Sequence, residues 1–428
     1  MLQTLRNAWK IEELKKKILF TLLIVLLYRV GNAIPVPYIN VAALQAYFSS
    51  VQNTVLGLLN VMSGGAFSNA TIFALSIQPY INASIIIQLL CIAIPALERM
   101  SKEEGEEGKK KIASITRYAT VLIGLLQGFG YYMLIKNYGI LVPEAQGNFW
   151  AAVVIILTFT SGSALIMWLG EQITEFGIGN GISIILFASI ISRLPTSIIT
   201  SIRNIVNGSL QWWVAILVFL GALAIVVLIV FVNDAERRIP VQYAKRVVGR
   251  KMYGGQSTFL PMKVNMSGVM PIIFAQSIAS VPATVAAFRG KTDGWVANWF
   301  GPNSIPYAIV YLLLIIFFAY FYSTIQFNPI EVANNLKKNG GYIPGFRPGK
   351  PTSQFIQKVL NNITLFGAIY LGIIAVVPIL IAHFSNAAAL TGVSLGGTSI
   401  IIVVGVALET VRALEAQMLM RNYKGFLD

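Results

Sequence analysis

Residues 30–97 read VGNAIPVPYINVAALQAYFSSVQNTVLGLLNVMSGGAFSNATIFALSIQPYINASIIIQLLCIAIPAL, and from Val30 to Leu97 there is no Asp, Glu, Lys or Arg. The stretch is too long and too rich in Gly, Asn, Ser, Gln and Pro for one simple membrane span. It is also too free of charge for a solvated loop. It fits irregular backbone held at membrane depth, which is tolerated only where protein covers it or a water-filled cavity lies beside it. The expectation is a channel or transporter whose path this stretch lines.

The rest of the chain agrees. Its 428 residues are 56% hydrophobic and 11% charged, with mean hydropathy +0.70, more apolar than a soluble core requires. A span needs roughly 20 apolar residues, and ten runs qualify: about 18–34, 71–95, 115–135, 150–169, 181–199, 212–232, 267–288, 306–327, 360–382 and 397–415. The first is not a cleavable signal peptide, because Arg29, Pro35 and Pro37 end it and no small-residue cleavage site follows. Basic residues collect in segments 6–17, 99–117, 237–263, 337–358 and 412–424. The opposite side holds only Lys136, Arg193, Arg203, Arg289 and Lys291, so the positive-inside bias puts both termini in the cytoplasm. Much of the +15 net charge follows from that topology alone. Loops 233–266 and 328–359 are nevertheless longer than hairpins require and mix basic residues with turn formers, as a docking surface for an acidic partner would.

Ten spans divide into five and five, 1–205 and 206–428, and an odd number per half inverts one half relative to the other. The second span of each is interrupted, by Ser76-Ile77-Gln78-Pro79-Tyr80 and by Ser267-Gly268-Val269-Met270-Pro271. Paired interruptions point to a transport path, although Pro and Gly are also simply common in membrane helices. With one His (His383) and one Cys (Cys91), His-rich metal sites and Cys-His nucleophilic pairs are excluded. The Gly177-Ile178-Gly179-Asn180-Gly181 run follows no strand and is not a dinucleotide loop.

Several further blocks form a set along the chain. They are Ile34-Pro35-Val36-Pro37; Met62-Ser63-Gly64-Gly65-Ala66, continuing through Pro79-Tyr80-Ile81 to Gln88-Leu89-Leu90; Trp168-Leu169-Gly170-Glu171-Gln172 with Gly177 to Ser183; Tyr243-Ala244-Lys245-Arg246; Leu260-Pro261-Met262-Lys263; Phe327-Asn328-Pro329; Pro344-Gly345-Phe346-Arg347-Pro348-Gly349; and Gly396-Gly397-Thr398-Ser399. Together they resemble the bacterial SecY family of protein-conducting channels and run in that family's order along essentially the whole chain. The resemblance implies an all-α polytopic membrane protein of ten helices in two inverted halves, a clamshell pore with plug helix and lateral gate. Pro240 is a departure from the pattern, as is the short tail after Met420.

The resemblance further implies a pore ring of Ile77, Ile81, Ile182, Leu186, Ile273 and Ile402, each of which in isolation reads as a core or lipid-facing aliphatic and is singled out only by the family register. A short apolar constriction dewets when empty and blocks ions. The segment Thr54, Val55-Leu56-Gly57-Leu58-Leu59-Asn60-Val61-Met62, Ser63-Gly64-Gly65 and Ala66 becomes the plug. It is too short to span a bilayer and is either displaceable or a fixed re-entrant helix. Asn82, Gln88 and Asn265 are lateral-gate amides by this reading, or satisfy local backbone. Lys245, Arg246 and Arg347 resemble contacts for a motor or ribosome, or are solvated positive-inside charges. Implied partners are SecE and SecG subunits, the SecA motor ATPase, the ribosome, signal sequences, nascent polypeptides and membrane lipids. DNA, cofactors and metals are not expected, nor is catalysis. The rivals are an ion-coupled small-solute transporter, which needs ionisable groups at midplane whereas Glu98, Glu171, Glu175, Glu409 and Arg412 fall near span ends, and a poreless scaffold or insertase.

Overall fold

A computed structural model describes residues 2–51, 54–102, 104–208, 211–243, 246–248, 251–253, 257–289, 295–301, 304–385 and 397–424. In chain order the helices are α1 (Leu2–Lys10), α2 (Glu12–Gly31), α3 (Val41–Ser50), α4 (Val55–Met62), α5 (Gln78–Ala93), α6 (Pro95–Lys102), α7 (Gly105–Asn137), α8 (Phe149–Phe176), α9 (Gly181–Ile191), α10 (Leu194–Val206), α11 (Trp212–Asp234), α12 (Met270–Phe288), α13 (Trp295–Phe300), α14 (Ile305–Gln326), α15 (Pro329–Lys338), α16 (Lys350–Ser385) and α17 (Gly397–Lys424). Among the described residues, seven helical segments are long and apolar enough to cross a membrane, with α9 and α10 counted as one segment from Gly181 to Val206. The bent pair formed by α5 and α6 makes eight. Helix also occupies the two remaining expected runs, in α2, whose first turns carry Glu12, Glu13 and Lys15 to Lys17, and in α17.

The run expected from residue 71 is helical only from Gln78. Ser76 holds φ at 52°, in the left-handed region that costs an L-residue roughly 1–2 kcal/mol, so the preceding chain is turn. At the other end Ile94 is extended before Pro95, as a residue preceding proline prefers, and the chain turns by 105° into α6. α12 starts in the same way. Gly268 has φ 62°, and Pro271 lies in the helix's first turn, three residues on, just as Pro79 follows Ser76. The two interruptions therefore share a geometry as well as a position.

The long loops contribute strands to an otherwise helical chain. β1 (Glu236–Tyr243), β2 (Arg246–Val248), β3 (Lys251–Tyr253), β4 (Ser257–Lys263) and β5 (Gly341–Tyr342) form a sheet of order β4-β1-β5 and a separate β2-β3 pair. β5 reaches only Gln242 and Tyr243 of β1, so Pro240, whose ring leaves no N–H to donate, stands where one side of the strand is open. Ile239, Val241 and Met262 on the sheet pack with Ile343, Ile356 and Leu360 from the second long loop and α16. The two loops thus build one small subdomain.

The body has two large apolar cores. One gathers Ile77, Ile81, Leu186, Ile273, Ile402 and Met62 with residues of α2, α8 and α14. The other joins α3, the 66–75 segment, α7 and the first turns of α8 around Phe48, Phe67, Tyr131 and Phe159. Conversely, only 6% of the most apolar window of α11 is buried, and its exposed Trp212, Leu217, Phe219, Leu223 and Phe231 suit a face covered by lipid or a neighbouring apolar helix.

Candidate pore constriction and stopper

Six aliphatic positions converge from four helices. Ile77 caps the start of α5 and Ile81 follows one turn later, so the two share a helix face. Ile182 and Leu186 repeat that spacing on α9. This helix can begin so close to α8 because residue 181 is glycine: a Cβ there would stand 1.9 Å from the Gly170 carbonyl oxygen. Asn180 fixes the start, its Oδ1 accepting from the N–H groups of Ile182 (3.1 Å) and Ser183 (3.3 Å) in the manner of an N-cap. Ile273 comes from α12 and Ile402 from α17. Five of the six are buried in one apolar cluster and Ile182 packs against it half-buried.

Beside this cluster lies a cavity of about 160 Å³, lined by Ile81, Ile182, Leu186 and Ile273 together with polar side chains including Ser84, Gln88 and Asn180. No charged side chain is among its lining residues. It sits between α5 and α9 on one side and α12 and α14 on the other. Across it, the Tyr322 hydroxyl of α14 donates to Gln88 Oε1 of α5 at 2.7 Å, while Gln88 Nε2 donates to Ser84 Oγ at 3.1 Å. Tyr322 also packs at 60° on Phe274 of α12, ring centres 5.2 Å apart. Hence α5 meets α14 through one hydrogen bond, and α14 meets α12 through an aromatic contact.

The other two amides sit elsewhere. Asn82 is half-buried on α5 and is not among the cavity's lining residues. Asn265 Nδ2 donates to Asn233 Oδ1 at 2.8 Å, and Arg412 donates to the Asn233 carbonyl at 2.7 Å and to Asp234 at 2.5 Å. Asn265 therefore ties the approach to α12 to the end of α11, which Arg412 of α17 also holds. Tyr322, by contrast, went unmarked in the sequence, since a tyrosine inside an apolar run carries no pattern of its own.

α4 stands against α9 and α12. Val55, Leu56, Gly57, Asn60 and Met62 are buried; Leu56 enters the aromatic core and Met62 the core that holds the ring. Gln78 Nε2 at the start of α5 approaches Met62 Sδ at 3.2 Å, so the helix packs directly against the aliphatic cluster. Its exit is a tight turn: Gly64 and Gly65 have φ of 68° and 90°, which glycine adopts without strain. Ahead of it, burial and the Tyr138 hydroxyl push the Tyr47 phenol on α3 above the ordinary tyrosine range.

On the sheet subdomain, Arg347 is exposed in a loop whose Gly345 and Gly349 both have positive φ, 87° and 105°. Phe346 stacks on Phe355 at 4.2 Å and Thr352 Oγ1 donates to the Arg347 carbonyl at 2.8 Å, so the arginine is presented on a braced turn. Arg246 begins β2; Lys245 lies outside the described residues.

A polytopic helical body with an aliphatic cluster drawn from four helices, a short helix packed into it and a polar seam beside it fits the class of gated membrane channels. Comparison with known proteins is specific. A family model for SecY matches residues 71–411. Protein translocase subunit SecY of Streptomyces scabiei is 45% identical over 443 residues, covering 100% of both chains, and that of Mycobacterium tuberculosis is 43% identical over 449 residues with the same coverage. In fold, the chain is similar to a solved protein-conducting channel, with TM-score 0.64 and 19% identity over 94% of this chain and 92% of that one. It is also similar to Sec61 from a canine ribosome-channel complex, with TM-score 0.59 and 16% identity. The chain belongs to the SecY family.

Proposed function

We propose that this chain is the protein-conducting channel of a bacterial cytoplasmic membrane, passing unfolded secretory polypeptides across it and releasing apolar segments sideways into lipid. The observation that carries this reading is the convergence of Ile77, Ile81, Ile182, Leu186, Ile273 and Ile402 on one apolar cluster, with Met62 of the α4 stopper in the same cluster. An aliphatic ring closes to ions by excluding water, yet yields to a chain because nothing but dispersion and hydrophobic contact holds it shut.

In this reading residues 54–66 are a plug that leaves when a chain enters, and the seam from Gln88 through Tyr322 to Phe274 is the lateral gate. Interhelical hydrogen bonds in membranes average about 0.6 kcal/mol, so an apolar signal helix that buries itself between α5 and α12 outweighs one such bond. Residues 1–205 and 206–428 are two inverted halves, a division supported by the matched starts of α5 and α12. Both termini and the sheet subdomain face the cytoplasm, where Arg347, Arg246 and Lys245 meet a motor ATPase of the SecA type or a ribosome. Small SecE-like and SecG-like subunits complete the complex, and directed movement draws its energy from the motor or from chain elongation rather than from a reaction at this chain.

Planar-bilayer conductance tests the seal. Wild-type channels stay closed, whereas deletion of residues 55–62 raises the resting conductance and an added signal-bearing polypeptide lowers it again. Equal resting conductance in both would defeat the assignment of the plug.

A further inference from the structure

The polypeptide enters the stopper from α3 and leaves it at Phe67, and those two ends meet in one aromatic stack. Phe48, in the last turn of α3, sits edge-on to Phe67 with ring centres 5.3 Å apart. Phe67 lies face to face with Tyr131 of α7 at 4.3 Å and 19°, and Tyr131 packs on Phe159 of α8 at 4.9 Å. All four rings are buried, and the Tyr131 hydroxyl donates to the Phe67 carbonyl. Just beyond, the chain is pinned by backbone: the Val36 N–H donates to the Ala70 carbonyl at 2.9 Å, and the Ile72 N–H to Ile34 at 3.0 Å.

On the stopper side of Phe67 the attachment is different in kind. The Phe67 N–H donates to Ser63 Oγ at 3.1 Å and the Ser68 N–H to Asn60 Oδ1 at 3.0 Å, side-chain bonds that water can replace, beside the local turn bonds from Gly65 N–H to the Asn60 carbonyl at 2.9 Å and from Ala66 N–H to the Ser63 carbonyl at 3.4 Å. Between them and the rings lie Gly64 and Gly65, and a Cβ at position 65 would meet nothing within 4 Å. Leu56 and Leu59 pack back onto the aromatic core, so the seated helix rests on its own base.

We propose that Phe48, Phe67 and Tyr131 form a clamp closing the base of the loop 49–66. The stopper then leaves the constriction as a tethered unit pivoting at Gly64–Gly65, while residues 67–70 stay in place to guide its return. Tyr131 is the positioning residue, since it grips Phe67 through ring and hydroxyl at once. This inference rests on the displaceable plug proposed above and adds where its motion stops.

The test uses the full channel with its partner subunits in liposomes, in a Cys91→Ser background, with two spin-label pairs. One pairs Leu58→Cys on the stopper with Phe149→Cys; the other pairs Asn69→Cys on the base with the same Phe149→Cys. Stalling a translocating polypeptide is expected to change the 58–149 distance and leave 69–149 unchanged. Both pairs moving together would overturn the clamp; neither moving would overturn the plug reading beneath it, and the clamp with it. In resting channels, Tyr131→Phe is expected to broaden the 69–149 distribution, because the bond it removes holds the base in place. Phe48→Leu is expected to do the same through the stack, at an unchanged yield of folded channel. An unaltered 69–149 distribution in both variants would refute the positioning role.

Discussion

Replacing Tyr322 by Phe removes one hydroxyl and almost nothing else. The ring stays against Phe274, 5.2 Å away, while the 2.7 Å bond to Gln88 Oε1 is lost. Interhelical hydrogen bonds in membrane bundles contribute about 0.6 kcal/mol on average and about 1.7 at most. If that bond is the polar latch between α5 and α14, its removal shifts the closed-to-open ratio of the gate by a factor of about 3 to 16, at about 1.4 kcal/mol per tenfold. The assay is export of a precursor whose signal sequence has a shortened apolar run and intercalates poorly. Tyr322→Phe is expected to raise its export by that factor with little change for an intact signal, and Gln88→Met to match it. The double variant should equal either single one, because both remove the same bond. Additive effects, or an equal fall in export of both precursors, would refute the latch.

Ile273→Asn places an amide in the aliphatic ring, and its resting ion conductance is expected to rise in planar bilayers while the complex still assembles. Gly64→Ala combines φ 68° with a Cβ 2.9 Å from the Ser189 carbonyl oxygen. It should cost the seated stopper about 1–2 kcal/mol, read as increased leak that a Gly65→Ala control, with open space at its Cβ, produces less strongly. Phe346→Ala unstacks Phe355 at a cost of about 0.5–1.5 kcal/mol; limited proteolysis should then cut at 344–349, and motor-driven export should fall without loss of membrane insertion. Arg117→Ala breaks the 3.0 Å pair with Glu171, but the arginine side chain is about half exposed, so thermal stability should change by less than about 1 kcal/mol.

How far these features were legible varies with the physics behind them. Span positions were readable because the bilayer demands long apolar runs, and α7, α8, α12, α14 and α16 fall where the composition put them. The late start of α5 was foreshadowed by Ser76 to Pro79, but the left-handed φ of Ser76 is set by packing and has no sequence mark. The small sheet was invisible for a related reason: Pro240 and Pro261 argue against strands, and only the partial coverage by β5 makes the first tolerable. At the aliphatic cluster, the i, i+4 spacing of Ile77 with Ile81 and of Ile182 with Leu186 was readable, while the convergence of four helices was not. Asn265 reads as a gate amide because it stands beside α12; its hydrogen bond to Asn233 has no mark in the sequence. The residue that does reach across from α14, Tyr322, looks like any interfacial aromatic until its hydroxyl is given a partner.

The central claim is that the path closed by these six aliphatic residues carries polypeptide. The most direct measurement reconstitutes the chain with a small SecE-like subunit in sealed vesicles, adds a SecA-type motor and ATP, and follows a signal-bearing polypeptide into protease protection. Protection of that polypeptide, abolished when its signal is removed, is the result predicted here. Vesicles that leave it exposed to protease yet accumulate a small solute would contradict the account.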